Sequence, residues 1–364
     1  MERKRIGLVR RGYSSSGGAE RYLQRFASAL CERGHEVMLF ASPEWPENEP
    51  QFREVIRIAG GDPISFADNL AKAQPRRHCD VLYSLERVWE CDFYRAGDGV
   101  HRAWLERRAK HESPWRRWVR AGQRKHRQIL ELEATLFSRD SKTEIIVNSE
   151  MVKFEIQGYY GKPYERIHVV YNGYKPPAIA GDPRSRIRQE LGLREEDVVL
   201  LFSGSGWDRK GLRYAIRAAS HLRSEGVKLI VAGRGNPVSM PRGPVRYLGP
   251  VQDMPAHYEA ADIFILPTLY DPFSNASLEA AAHGLPVVTT TANGFAEILP
   301  HGRFGSAVED PADVAALVEG IRPWLPAARR LAVREEIRAW ARSFHVRENL
   351  RQTLAILAED GAGS

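Results

Sequence analysis

The stretch from Asp262 to Thr291, DIFILPTLYDPFSNASLEAAAHGLPVVTTT, admits few folds. A short apolar run, IFIL, stops at Pro267, and a polar loop with Asp271, Asn275 and Ser277 follows. A helical run, SLEAAAHG, and a second strand-like run, PVVTTT, complete the unit. Strand, loop, helix and strand in this order place the loop at the carboxyl end of the first strand, opening onto a helix N-terminus. Amides of a first helical turn lack internal partners and can donate to an anion. Asp271 and Glu279 are eight residues apart, one in the loop and one in the early helix, so both can face one ligand. The bland reading stays open: a solvated loop acid and a partner of the helix dipole.

A chain of 364 residues exceeds the size at which one core usually stops growing, which predicts two domains. Apolar residues make up 43%, enough for real cores, and 22 Pro and 30 Gly are spread through the chain, unlike a disordered composition. No apolar run approaches the roughly 20 residues that span a bilayer, and MERKRIGLVRRG has too short an apolar stretch for a signal peptide. The expectation is a cytoplasmic protein. Cys31, Cys79 and Cys91 are odd in number and lack metal-ligand spacing, which fits a reducing compartment.

The opening repeats the strand, loop, helix, strand order. KRIGLVR reads as a strand, RGYSSSGGAE places Gly12, Gly17 and Gly18 in a loop, and AERYLQRFASALCERG has apolar residues at helical spacing. HEVMLFAS is the next strand. Gly17 and Gly18 lack a Cβ, so the backbone there can come close to a ligand. The spacing is not G-x-G-x-x-G, which argues against a dinucleotide, and a ligand-free tight turn remains an alternative. HCDVLYS is another strand; beyond it Asp98 lies between two glycines, either exposed toward a ligand or a turn-former.

From His101 to Gln128 ten basic residues face two acids, Glu106 and Glu112, with Trp104, Trp115 and Trp118 among them. Basic charge interleaved with indole suits anionic headgroups or a phosphorylated glycolipid, and a membrane surface is the expected partner. A solvated face with inward tryptophans is the alternative, and nucleic acid would also be attracted. The break at Glu112 to Pro114 predicts two short helices. EIIVNSE and RIHVVYNGY are further strands, the latter over residues 166–174, and KPPAIAGDPRS reads as the linker.

The second half restarts the alternation. DVVLLFSGS is a strand whose loop, GSGWDRKG, carries Arg209 and Lys210 just before a helix. Adjacent Arg and Lys can grip two phosphate groups, a fork and a point charge, or can be surface decoration. That loop and the Asp271 to Ser277 loop both follow predicted strands, the ligand-binding edge of a parallel sheet. The reading is α/β with two domains: residues 1–176 with the basic insertion 101–128, residues 184–342, and a C-terminal helix and tail, 343–364, packing back on the first domain.

The pattern resembles the GT-B architecture, two Rossmann-like domains facing across a cleft, and more narrowly the retaining glycosyltransferases of family 4. DPFSNASLEAAAHGLPVV matches that family's acid, seven residues, then Glu, with Asp271 where Glu is usual; GSGWDRKG and GGAERYLQRFASALCERGHEV match its phosphate loop and its N-terminal loop and helix. The resemblance covers nearly the whole chain. Within the family, lipopolysaccharide core glucosyltransferases look most alike, sharing an Asp at the place of Asp98 and a basic, aromatic insertion.

By resemblance, the donor is a nucleotide sugar, a UDP-hexose with UDP-glucose first, and the acceptor an anionic glycolipid such as a lipopolysaccharide core. Glu279 would bind the ribose, and Arg209 with Lys210 the diphosphate. Asp271 with the backbone of Phe273, Ser274 and Asn275 would bind the donor sugar. Gly17 and Gly18 would approach the distal phosphate, and Asp98 would address the acceptor hydroxyl. Arg209, Lys210 and helix starts would carry the leaving charge without a metal or other cofactor, and no two aspartates stand two residues apart as a metal-binding Asp-x-Asp would require. The implied retention is same-face attack guided by the leaving phosphate, with a covalent intermediate as the alternative. The implied location is the cytoplasmic face of the inner membrane, held peripherally. Two other functions stay in view: a family 4 enzyme with an unrelated lipid-linked or soluble acceptor, and a non-catalytic binder of sugar nucleotides or nucleic acid. The second does not need Arg209, Lys210, Asp271, Glu279 and Asp98 together, and the basic run lacks a repeated aromatic platform for single strands.

Overall fold

The computed structural model describes residues 3–13, 18–46, 49–113 and 123–359. Gly17 and the 114–122 part of the basic segment, with Trp115, Arg116, Arg117, Trp118 and Arg120, lie outside the described residues. The chain divides into two compact units, one running to Tyr171 and resuming at Arg347, the other spanning Asn172–Val346.

In the first unit, apolar runs buried on both faces become strands of one parallel sheet. The strands are β1 (Arg5–Arg10), β2 (Glu36–Ala41), β3 (Glu54–Arg57), β4 (Val81–Ser84), β5 (Phe93–Arg95), β6 (Glu144–Val147) and β7 (Ile167–Val169). Their order is β3-β2-β1-β4-β5-β6-β7, so the direction of winding reverses between β1 and β4. Helix α1 (Gly18–Glu32) lays Leu23, Phe26, Ala27 and Leu30 onto the sheet, all at most 1% exposed. The helices α2 (Pro63–Lys72), α3 (His101–Lys110), α4 (Arg124–Leu136) and α5 (Glu150–Tyr160) follow. Asp62 and Ser65 form a reciprocal capping box at the start of α2.

The second unit is built the same way. It has α6 (Pro183–Glu190), β8 (Val198–Ser203), α7 (Leu212–His221), β9 (Val227–Ala232), β10 (Val245–Gly249), α8 (Met254–Ala260) and β11 (Ile263–Leu266). Then come α9 (Asn275–Ala282), β12 (Val287–Thr290), β13 (Gly305–Val308), α10 (Val314–Ile321) and α11 (Ala327–Ala341). The parallel order β10-β9-β8-β11-β12-β13 reverses between β8 and β11. The last helix, α12 (Val346–Glu359), belongs to the first unit, where Leu350, Leu354 and Leu357 join the core around Leu8 and Phe26.

Several elements differ from the sequence reading. The expected strand over 166–174 is confined to Ile167–Val169; the Val170 amide still donates to the Val147 carbonyl (2.9 Å), and farther on the Tyr174 amide donates to the Phe344 carbonyl (2.9 Å) instead of to a strand neighbour. The end of the expected linker is helical from Pro183, capped by Asp182, whose side chain accepts from the Ser185 amide. β3, β5, β13 and α2 had no clear signature: β3 is only half buried, and β5 is three residues long and ends in the buried Arg95.

A buried charge cluster fastens α6 to the sheet. Asp262, at the amino end of β11, accepts from the Val199 amide (2.8 Å), Arg188 Nη1 (3.2 Å), Arg184 Nη2 (3.0 Å) and Arg330 Nη2 (3.4 Å). The Arg188 side chain is 4% exposed. Breaking one member of such a buried set costs about 3–5 kcal/mol, since the remaining charge is uncompensated. Asp262→Asn should therefore lower the urea unfolding free energy by that order; a loss under about 1 kcal/mol would show that carbonyl oxygens alone satisfy Arg188.

Candidate functional site

In the second unit, the loops after β8 and β11 meet where the winding reverses, the position at which parallel α/β sheets take ligands. The two loops are stitched by backbone. The Arg209 carbonyl accepts from the Leu269 amide (2.8 Å) and from Thr268 Oγ1 (3.0 Å), while Arg209 Nη1 donates to the Tyr270 carbonyl (3.4 Å). Gly211, at φ +73°, caps α7, and a Cβ there would stand 1.8 Å from the Pro267 carbonyl oxygen, so only glycine allows this approach. Trp207 anchors the other end of the loop, donating to the Gly204 carbonyl (3.0 Å) and stacking on Tyr247 (5.4 Å between centroids).

Lys210 and Asp271 are joined across the two loops: Nζ lies 3.0 Å from Oδ2, with side chains 14% and 8% exposed. Asp271 is itself held by its main chain, its amide donating to the Ala292 carbonyl and its carbonyl accepting from the Gly294 amide, both at 2.9 Å. Between them lies Asn293, 1% exposed. Its Oδ1 accepts from the amides of Ser274 and Phe295 (each 3.1 Å), and its Nδ2 donates to Thr289 Oγ1 (2.9 Å) and Ser277 Oγ (3.4 Å). The Ser274 amide is thus engaged inside the protein, and the Ser274 hydroxyl caps α9 by accepting from the Ser277 amide (3.2 Å). Phe273 is buried against the edge of Phe295, and Asn275 is exposed, with Oδ1 accepting from Asn172 Nδ2 (2.9 Å).

Glu279 projects from α9 and accepts from the Tyr258 hydroxyl (3.0 Å). Burial, reinforced by the Glu279 charge, pushes the Tyr258 phenol well above its ordinary range, so it remains a donor. The Tyr258 ring stacks on His283 at 5.3 Å, and His283 Nδ1 is 2.9 Å from Glu259, which also pairs with Arg334 and Arg338. Glu279 is therefore fixed from behind by a packed column of side chains. Arg209, Lys210, Asp271, Phe273, Ser274, Asn275 and Glu279 all lie in these connected loops and α9. Two cations, a carboxylate acceptor and a helix N-terminus together suit a polyphosphate carrying a hydroxylated group.

The first unit has its own cluster at its reversal point. Asp98 is exposed in the loop after β5, and Gly18 opens α1. The Asp98 loop is held on both sides: Arg87 Nη2 donates to the Gly99 carbonyl (2.8 Å) and Asn148 Nδ2 to the Gly97 carbonyl (3.2 Å). Arg87 is neutralised by Glu133, whose fully buried carboxylate also accepts from the His101 amide (2.5 Å) and the Tyr160 hydroxyl (2.9 Å). Arg10, at the end of β1, pairs with Glu86 (2.5 Å) and Glu20 (3.0 Å). Burial raises the Glu86 carboxyl against the opposing pull of Arg10, and the Asp98 charge raises it further. His101 is pushed down to about 3 by burial and by Arg87, so it stays neutral beside His126 (2.9 Å).

Glu86, Glu133, Tyr258 and Asn293 were missed from sequence. Asn293 had a usable signal, an Asn-Gly pair after a strand, whereas the others depend on partners distant in the chain. Among the described residues, no three His, Cys, Asp or Glu are grouped to hold a metal ion. A cavity of about 530 Å³ in the first unit, lined by Glu150, Lys153, Tyr164 and Arg351 among others, includes none of the expected site residues.

Residues 16–176 match the family model described as Glycosyltransferase Family 4, and residues 197–325 the model described as Glycosyl transferases group 1. The chain is 24% identical over 354 residues to the lipopolysaccharide glucosyltransferase WaaG of Escherichia coli K12, covering 90% of this chain and 92% of that one. It is 28% identical over 363 residues to a glycogen synthase of Mycobacterium tuberculosis H37Rv, covering 87% and 85%. A crystal structure of WaaG superposes with a TM-score of 0.80 at 22% identity, over 96% of this chain and 99% of that one. Anabaena HepE in complex with UDP-glucose superposes with a TM-score of 0.74 at 18% identity, over 98% and 100%.

Asn293 offers a test of how the second-unit loops are held. Asn293→Ala would leave the buried Ser274 and Phe295 amides without their acceptor, at about 1–3 kcal/mol for an orphaned buried donor. The variant should unfold at lower urea concentration, with faster hydrogen exchange at those two amides. Unchanged exchange there would show that Asn293 does not hold the loop.

Proposed function

We infer the function from the chain's membership of glycosyltransferase family 4 and its GT-B fold of two Rossmann-like domains. From that premise we propose that it is a retaining enzyme moving a hexose from a UDP-sugar, UDP-glucose first, to an anionic glycolipid of the lipopolysaccharide core class. The observation that carries the donor reading is the convergence of Arg209, Lys210, Asp271 and Glu279 at the β8/β11 reversal. The superposition on HepE with bound UDP-glucose and the full-length likeness to WaaG support the donor and acceptor classes. The equally extended likeness to a glycogen synthase favours a soluble glycan as the second acceptor reading.

In this reading Glu279, fixed by Tyr258, accepts from the ribose hydroxyls. Arg209 and Lys210, with the N-terminus of α9, stabilise the diphosphate as negative charge grows on the leaving oxygen, the largest contribution a protein makes to such a step. Asp271 and the Phe273 to Asn275 segment hold the sugar hydroxyls, with the Ser274 amide contributing through its bond to Asn293 and not directly. Attack from the same face as the leaving phosphate then retains configuration. Asp98 is assigned the acceptor hydroxyl, and Gly17 and Gly18 the distal phosphate.

Membrane contact is proposed for the basic segment, with its weight on residues 114–122. On the described helix α3, Arg102 pairs with Glu106, Arg107 with Glu155 and Arg108 with Glu112, so that helix keeps less open positive charge than its sequence implies. Among the described residues, no helix is long and apolar enough to cross a membrane.

The test is a panel of UDP-, ADP- and GDP-hexoses offered with phosphorylated and dephosphorylated lipopolysaccharide core and with a soluble glucan, in excess EDTA. Transfer from a UDP-hexose to the phosphorylated core is the expected result. Transfer only to the glucan would move the acceptor assignment, and activity restored only by Mg²⁺ or Mn²⁺ would overturn the metal-free reading. Asp98→Asn tests the acceptor side: positioned proton transfer is worth about 10²–10⁴ in rate, so kcat should fall by that order while donor Kd changes less than about threefold. Near-normal turnover in a folded variant would return Asp98 to a turn-forming role, which Asn fills as well.

A further inference from the structure

The Lys210–Asp271 ion pair poses a physical problem for the donor site. In the donor-site reading both residues serve the ligand, yet here each is engaged with the other, 3.0 Å apart and mostly out of solvent. Neither can drift away cheaply. Asp271 is clamped through its own amide and carbonyl to Ala292 and Gly294. The Lys210 stem lies across Gly204, where a Cβ would stand 2.7 Å from Lys210 Cδ, and Gly204 is at φ +142°. The end of the lysine is the part able to move, and a diphosphate is the partner able to attract it.

We propose that this pair is a hand-over device that makes the site prefer the intact sugar nucleotide over the bare nucleotide. The proposal rests on the donor-site reading above. When a nucleoside diphosphate enters, Lys210 Nζ turns from Asp271 Oδ2 to phosphate oxygen. Asp271, 6% exposed, is then left as a buried carboxylate without its cation, a costly state. Hydroxyls of a donor sugar relieve that cost by donating to the freed oxygen. A nucleotide without sugar brings no such donors and carries the penalty in full. Asp271 therefore acts in two steps: it holds Lys210 in place before binding, and it penalises the product nucleotide after transfer has removed the sugar, which favours release. The shorter Asp in place of the usual Glu fits this role, because its carboxylate stays within reach of Lys210 while its backbone is fixed.

The test compares Kd for UDP and for UDP-glucose, by calorimetry without acceptor, in wild type and in Asp271→Asn, Lys210→Gln and Glu279→Ala, with thermal melts confirming folding. Asp271→Asn removes the charge and keeps the shape. It should tighten UDP binding by about five- to tenfold and erase most of the preference for UDP-glucose over UDP. Asp271→Ser, which also removes the charge, should likewise tighten UDP binding and serves as the second variant should the Asn form melt early. UDP affinity in Asp271→Asn equal to or weaker than wild type, alongside weaker UDP binding in Lys210→Gln and Glu279→Ala, would overturn the hand-over and leave the donor site standing. No effect of Lys210→Gln and Glu279→Ala on UDP would overturn the donor-site reading, and this proposal with it.

Discussion

The candidate site of the second unit depends on one backbone contact: the loop that begins α7 lies directly on the end of β11, with Gly211 against the Pro267 carbonyl and the Arg209 carbonyl capping the Thr268 to Leu269 turn. Main-chain hydrogen bonds between two strand ends fix relative position more tightly than side chains could, because few rotatable bonds intervene. The main chain of Arg209 and Lys210 is thereby held beside the loop that carries Asp271, and Asn293 extends the same constraint to the start of α9. The backbone that carries the two cations, Asp271 and the start of α9 forms one rigid framework inside this unit, on which the end of the Lys210 side chain is free to turn. Electrostatic stabilisation of a leaving group needs that rigidity, since dipoles that must reorient during the step lose much of their effect.

Burial, not sequence distance, divides the acids of this chain by role. Glu133 is fully buried and accepts from Arg87, the His101 amide and Tyr160, which makes it a fastener for the loop that exposes Asp98. Glu86 is buried beside Arg10, and its carboxyl is raised by burial and by Asp98. Asp98 carries no such enclosure and stands open at the strand edge. A buried carboxylate that holds a loop and an exposed one that the loop presents are complementary halves of one design, and the charge of the first is what keeps Arg87 in place.

How much of this could be read beforehand follows from where the information lies. Apolar runs such as DVVLLFS and IFIL declare themselves as buried parallel strands; the loops after them carry Arg209, Lys210 and Asp271, and the helix that follows carries Glu279, all on the carboxyl side of their strands. β5 was invisible because three residues cannot show a period, and one of them is a buried arginine, which lies over the Tyr22 ring at 4.2 Å. α6 was hidden in a Pro-rich run, since its stability comes from Arg188 reaching Asp262, a partner 74 residues away. The same holds for Tyr258 behind Glu279: each residue is ordinary locally, and the pairing exists only in the folded sheet.

The two acids of the α9 region show why that pairing decides function. Asp271 and Glu279 carry the same group, yet one faces a lysine and the other a tyrosine. A phenol pushed up by burial stays protonated and donates to Glu279, so that carboxylate is held and aimed, suited to a constant task such as gripping a nucleoside. A lysine ammonium is a point charge on a flexible stem, able to exchange one anion for another. Asp271 is therefore the acid whose surroundings change when an anion arrives. A sequence motif records only the spacing of the two carboxylates; what stands behind each one separates a fixed grip from a responsive one.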